Sequence, residues 1–101
     1  MLTEKDYCDW RTVKDLESLG MNVYTKVKGI DVLKSVLLYE AQKWLREKKL
    51  LHIVIDKLLY GAYEFSVVDI LNYSEEKNGT ANSYEKALSE GIKEAVKILK
   101  E

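Results

Sequence analysis

Leu38-Tyr-Glu-Ala-Gln-Lys-Trp-Leu-Arg-Glu-Lys-Lys49, followed at once by Leu51-His-Ile-Val-Ile-Asp56 and then by Ala62-Tyr-Glu-Phe-Ser-Val-Val-Asp-Ile70, is the stretch that decides the fold. Its first part places Leu38, Ala41, Leu45 and Trp44 on one side of a helix. Glu40, Lys43, Arg46, Glu47 and Lys48 fall on the other side. Lys48 and Lys49 stand at the helix end, where the macrodipole favours cations. The period then switches from 3.6 to 2, which signals strands. Leu51, Ile53 and Ile55 share one face, and His52, Val54 and Asp56 the other. In the second strand Tyr63, Phe65 and Val67 oppose Glu64, Ser66 and Val68. Pairing Ile55 with Tyr63 and Ile53 with Phe65 keeps both faces consistent. It leaves a loop at Leu58-Leu-Tyr-Gly61, where Gly61 supplies a permissive backbone.

Working outward, Trp10, Val13, Leu16 and Leu19 recur at three-residue spacing and predict a first helix over Trp10 to Leu19. Asp9 is placed as its N-cap, Cys8 and Val13 as a hydrophobic staple, and Gly20 as a left-handed stop. Val23-Tyr-Thr-Lys-Val-Lys28 alternates and is rich in β-formers, so a strand ended by Gly29 is one reading. Asp31 to Val36 reads either as a return strand or as the entry to helix two. Past the central hairpin, Tyr73 to Asn82 is polar and carries Asn78-Gly79, the commonest two-residue hairpin turn, with a short return at Thr80-Ala81. Ser83 caps a third helix whose stripe is Tyr84, Leu88, Ile92, Ala95 and Leu99, beside Ala87, Gly91 and Val96. Gly91 in mid-helix costs about 1 kcal/mol against Ala, and close approach to the sheet is the reason to expect it there.

These elements make one α+β domain over residues 1–101. Three helices pack on one face of a small, mainly antiparallel sheet, in the order α-β-α-β-β-α. The expected core is Leu16, Ala41, Leu45, Ile53, Phe65, Leu88 and Ile92. At 11.7 kDa the chain buries roughly 65% of its unfolded surface, enough for a core without disulfide or metal support. The 47% apolar and 33% charged content is that of a globular protein. A net charge of -1 gives no field favouring nucleic acid or anionic membranes. Cys8 is the only cysteine, which excludes an internal disulfide and fits a reducing compartment. The N-terminus lacks a signal-peptide pattern, and no apolar run approaches the ~20 residues that span a bilayer. A cytoplasmic protein without a membrane partner is expected.

Three segments together resemble a known family: Asp6-Tyr-Cys-Asp-Trp10, Leu38-Tyr-Glu-Ala-Gln-Lys-Trp-Leu-Arg-Glu47 and Ser83-Tyr-Glu-Lys-Ala-Leu-Ser-Glu-Gly-Ile92. The family consists of small uncharacterised proteins from gut Bacteroides-type bacteria, their phages and mobile elements. The similarity covers the whole chain, Trp-Leu-Arg-Glu before a strand being its most recognisable part. It departs at Leu37, where the family has a proline opening helix two. The resemblance implies an α+β fold and a mobile-element setting, and carries no activity or catalytic residues with it.

The residues themselves offer few sites. His52 shares the less apolar hairpin face with Asp56 and Glu64, a set suited to a general base or a metal. A surface cross-strand histidine beside acids is the plainer reading. Cys8 is a nucleophile only if His52 reaches it, and its place before a helix cap suits a buried staple instead. Lys43, Arg46, Lys48, Lys49 and Lys57, with Trp44 and Tyr39, form a basic cluster for a weak nucleic-acid binder. Glu40 and Glu47 interrupt it, and Glu40–Lys43 and Lys43–Glu47 are within pairing range. Asn72-Tyr-Ser74 and Asn78-Gly-Thr80 match the glycosylation pattern by chance. There is no phosphate loop, catalytic triad order or cofactor motif, so neither cofactor nor enzymatic activity is expected. The seven tyrosines are the strongest hint, since Tyr buries large area while keeping a polar handle.

The expectation is therefore a small non-enzymatic protein–protein interaction or accessory module, with an unknown protein or itself as partner. The surface expected to serve it is the sheet face of His52, Val54, Glu64, Ser66 and Val68, with Tyr60 and Tyr73. The alternative is a weak nucleic-acid binder using the basic end of helix two.

Overall fold

The computed structural model describes residues 2–101. Helix α1 spans Trp10–Ser18. The Asp9 carboxylate accepts the Thr12 backbone N–H at 2.8 Å, and the staple residues Cys8 and Val13 are both buried. The helix closes as a Schellman motif: Met21 N–H donates to the Leu16 carbonyl and Gly20 N–H to that of Glu17. Gly20 takes φ +107°, open to glycine and disfavoured for other residues. The Thr12 bond, helped by Lys93, holds the Asp9 carboxyl below its ordinary 3.8 against the opposing effect of burial. A carboxylate depressed in the folded state stabilises above its unfolded pKa, and the benefit disappears as pH falls through the folded value. Asp9→Ala is thus expected to cost about 1 kcal/mol at pH 7, and its melting temperature should converge on wild type below pH 3.8. A gap unchanged down to pH 2.5 would show that Asp9 stabilises in some other way.

The stretch after α1 is a hairpin of its own. Strands β1, Tyr24–Val27, and β2, Ile30–Leu33, pair antiparallel from Tyr24↔Leu33 to Val27↔Ile30. Lys28 and Gly29 between them both have positive φ, 52° and 80°, the backbone of a two-residue turn whose twist suits a hairpin. Both open readings of this segment resolve to strands. The hairpin stands apart from the body and lengthens the molecule to 48 × 33 × 19 Å. Its radius of gyration of 14.1 Å exceeds the roughly 12.7 Å typical of this chain length.

Helix α2, Leu38–Lys48, starts at Leu37, which has no side-chain acceptor; Glu40 compensates by accepting the Leu37 N–H at 3.2 Å. Leu38, Ala41 and Leu45 are buried and Trp44 half-buried. Strands β3, Leu51–Lys57, β4, Tyr63–Asp69, and β5, Ser74–Ala81, form an antiparallel sheet in that order. Helix α3, Tyr84–Lys100, capped by Ser83, lies across all three strands. α2 packs beside it along β3, and α1 touches its other flank. The class is α+β with three helices, and the expected order holds in outline. There are two small sheets rather than one, and β5 is an added strand.

Three local expectations are corrected. The β3–β4 register pairs Ile55 with Phe65 and Ile53 with Val67, two residues from the expected one. Left-handed Tyr60 and Gly61 tighten the loop, so Leu58 N–H reaches the Ala62 carbonyl and the strands run on to Lys57↔Tyr63. A two-residue slip preserves the faces. Asn78-Gly79 is not a turn but lies inside β5. The β4–β5 turn comes earlier, where Asp69 accepts from the Leu71 and Asn72 N–H groups. Gly79 stays extended because it faces the Phe65 ring: a Cβ there would sit 2.6 Å from Phe65 Cε2. Trp10 and Tyr84 head their stripes yet are 56% and 45% exposed, each at the first helical turn, with Tyr84 packed edge-on against the Tyr63 ring.

The core is what the stripes imply. Leu16, Ala41, Leu45, Ile53, Phe65, Leu88 and Ile92 are all buried, with Val23, Val36 and Val67 beside them. Gly91 faces the sheet at closest approach; a Cβ there would meet Ile53 Cγ2 at 2.6 Å. Both interior glycines therefore make room for sheet side chains.

Candidate functional site

Hydrogen bonding fixes which groups the sheet leaves free. Ile70 N–H donates to Leu50, and Leu58 N–H to Ala62, so the β3 residues between them alternate in and out of the ladder. Ile53 points its carbonyl away from β4, and Gln42 Nε2 donates to it at 2.8 Å. Helix α2 thus takes one outward carbonyl of the β3 edge. On the face away from α3, His52 pairs with Val68, Val54 with Ser66 and Asp56 with Glu64. Asn78 and Thr80 continue this face onto β5. His52, Val54, Glu64, Ser66 and Val68 lie together there, each half-buried. Tyr60 and Tyr73 do not join each other: Tyr60 is in the β3–β4 loop and Tyr73 in the β4–β5 turn, at opposite ends of β4. Both are almost fully exposed, and both have positive φ.

His52 has lost the acids expected beside it. Asp56 and Glu64 pair with each other further along the strands. The charge that acts on the imidazole is Arg46; burial first and Arg46 second hold it below its ordinary 6.5. Its Nδ1 is buried without a hydrogen-bond partner among the described residues. A neutral ring with one nitrogen enclosed is poorly placed to take up a proton. Cys8 sits elsewhere, on a small groove with Tyr7, Trp10 and Ser35. Burial, then the Asp9 and Glu40 charges, push its thiol up to about 12. It therefore stays protonated and unreactive at neutral pH. Among the described residues no three His, Cys, Asp or Glu side chains converge as metal ligands.

The basic end of α2 is arranged differently from the sequence pairing. Neither Glu40–Lys43 nor Lys43–Glu47 forms a salt bridge, and Lys43, Arg46, Lys48 and Lys49 carry no ion pair among the described residues. Lys49 Nζ lies 5.6 Å above the Trp44 ring, a cation–π contact. A groove of about 680 Å³ runs between α1 and α3. Two ion pairs cross it: Lys93 with Asp9 at 3.3 Å and Lys100 with Asp15 at 2.8 Å. Such exposed pairs tie two helices loosely.

Surface apolarity is where the molecule is unusual, and sequence reasoning located it only in part. Val27, Ile30 and Val32 on the hairpin are 52%, 67% and 41% exposed. Leu59 and Leu71 stand out beside Tyr60 and Tyr73. The signal was present in Val27-Lys-Gly-Ile30, whose two apolar residues flank a tight turn. No described helix is long and apolar enough to cross a membrane. No protein-family model, curated protein or solved structure matches this chain.

Proposed function

We propose that this protein is a small non-enzymatic interaction module that docks another protein on the outer face of its three-stranded sheet. The observation that carries the reading is the pair of fully exposed tyrosines, Tyr60 and Tyr73, bracketing the face of His52, Val54, Glu64, Ser66 and Val68. An antiparallel sheet can leave one face solvated without penalty. Exposed aromatic side chains held at both ends of that face supply the rigid contact area that interfaces favour. The inert Cys8 thiol and the enclosed His52 support binding over chemistry. The resemblance to proteins of mobile elements suggests an accessory role in that setting.

The test compares affinity capture from bacterial lysate by wild type and by Val54→Lys/Val68→Lys. A partner retained by wild type and lost at least tenfold on the double variant is the expected result, with unchanged circular dichroism. Equal recovery by both proteins would place the docking surface elsewhere.

Weak nucleic-acid binding is a second reading, favoured by the unpaired cations at the end of α2. Against it, Lys49 covers one face of the Trp44 ring on which a base would stack. A gel shift that weakens steeply with salt would favour this reading.

A further inference from the structure

We propose that the protein self-associates by its strand edges, the β1–β2 hairpin of one copy pairing with the β5 edge of a second. This goes beyond the docking face above and uses different residues.

Two sets of backbone groups are free. In the β1–β2 ladder, Lys34 N–H donates to Val23, so the residues at Thr25 and Val27 bond inward and Lys26 turns its N–H and C=O outward. Tyr24 N–H also points outward but is taken by Asn22 Oδ1 at 3.2 Å. In the large sheet the outward Ile53 carbonyl of the β3 edge is taken by Gln42, whereas β5 has β4 on one side and no strand on the other among the described residues. Residues 64, 66 and 68 of β4 serve β3, so 63, 65 and 67 serve β5, and Asn78 and Thr80 face outward. Open edges of this kind invite a further strand.

The side chains then select the occupant. The segment 24–34 holds Lys26, Lys28 and Lys34 against one acid, Asp31, which Lys26 already pairs at 3.0 Å. Lys28 and Lys34 carry no ion pair among the described residues. The β5 edge holds Glu75 and Glu76 against one base, Lys77; both acids are exposed and bonded only to Asn78 and Ser74 side chains. A hairpin with an excess of two bases and a strand with an excess of one acid, in one chain, are complementary between two copies. The hairpin also needs cover. Only Leu33 of the two strands packs against the core, and the register puts Thr25, Val27, Ile30 and Val32 together on one exposed face. An isolated two-stranded hairpin is marginal in water, and a third strand alongside extends its apolar surface into a larger sheet.

Size argues that the exchange is reciprocal. Each copy offers eight hairpin residues and eight of β5, about sixteen per side against the ~20–30 of a standard interface. A single one-way contact would supply only half of that. The predicted assembly is a two-fold dimer in which each hairpin extends the other copy's sheet.

The test is a charge swap read by light scattering and sedimentation. Wild type should dimerise with rising concentration, more weakly at high salt. Lys28→Glu/Lys34→Glu leaves the Lys26–Asp31 pair intact, and Glu75→Lys/Glu76→Lys reverses the edge. Each variant alone should dissociate at least tenfold more readily than wild type, because its hairpin and edge now repel. Mixed one to one, they should recover the dimer, since both reciprocal contacts are again of opposite sign. Thr80→Pro removes an outward N–H that β4 does not use, and it should be monomeric with a native circular dichroism spectrum. A wild type that stays monomeric to millimolar concentration overturns the proposal, as does a mixture that gains no mass over its separate components. Either failure leaves the outer-face reading standing, because Val54 and Val68 are untouched in every variant.

Discussion

Phe65→Ala is expected to lower the stability of this protein by roughly 3–5 kcal/mol, the loss of a fully enclosed aromatic ring plus the cavity it leaves. Phe65 is 5% exposed and lies in a slot made by two glycines, Gly79 on the neighbouring strand and Gly91 on α3. The ring substitutes for the side chain that Gly79 lacks, the aromatic cover by which a sheet tolerates glycine. Neither glycine can move in to fill the space, so collapse is limited and the cost should sit at the high end. For a domain whose whole stability is of order 5–15 kcal/mol, this is a large share. Denaturant melts check it at constant slope. A variant within 1 kcal/mol of wild type would mean that the ring is not enclosed as described.

The second large effect is a coupling between α3 and β3. Ile53→Ala removes a fully buried side chain and is expected to cost about 2–5 kcal/mol. Gly91→Ala on its own should gain up to about 1 kcal/mol of helix propensity. Its new Cβ, however, would stand 2.6 Å from Ile53 Cγ2, an overlap of the kind that costs about 1–3 kcal/mol. The single variant is therefore predicted to be destabilised. With Ile53 already cut to Ala the obstructing atom is absent, and the same Gly91→Ala change should become neutral or stabilising. A double-mutant cycle would then show about 1–3 kcal/mol of coupling between the two positions. Additive effects would show that Gly91 is not held against Ile53, and the helix would have to lie further from the sheet.

Several features were legible in the residues because they are set locally. The Asp9 cap, the Cys8–Val13 staple and the Gly20 stop need only neighbours along one helix. The buried face of α2 and α3 follows from 3.6-residue spacing, and that of β3 and β4 from strict alternation. The candidate face was equally readable, because alternation assigns His52, Val54, Glu64, Ser66 and Val68 to one side whatever the register. The two-residue slip in that register shows the limit: alternation fixes parity and leaves the loop geometry at Tyr60 and Gly61 to choose the pairing.

What stayed hidden depends on groups distant in sequence. Asn78-Gly79 carries a turn preference of short range, yet the pair is extended because Phe65 fills the space over Gly79. Nothing between residues 73 and 82 announces this. The acids expected beside His52 pair with each other further along the strands, and Arg46, from a different element, acts on the ring instead. The openness of the β1–β2 hairpin is likewise a tertiary fact, since Val27, Ile30 and Val32 look like core residues in sequence.

By itself, then, the sequence determined the α+β class, the helix limits, the core stripes and the sidedness of the central strands, since each follows from backbone period and capping within one segment. Only the tertiary structure decided that β5 exists, that Gln42 of α2 takes the outward Ile53 carbonyl of β3, and that the β5 edge and the apolar hairpin are left open among the described residues. The reason is that a strand's hydrogen bonds and a side chain's cover are supplied by other segments, so whether a group is satisfied or free is a property of the assembled fold.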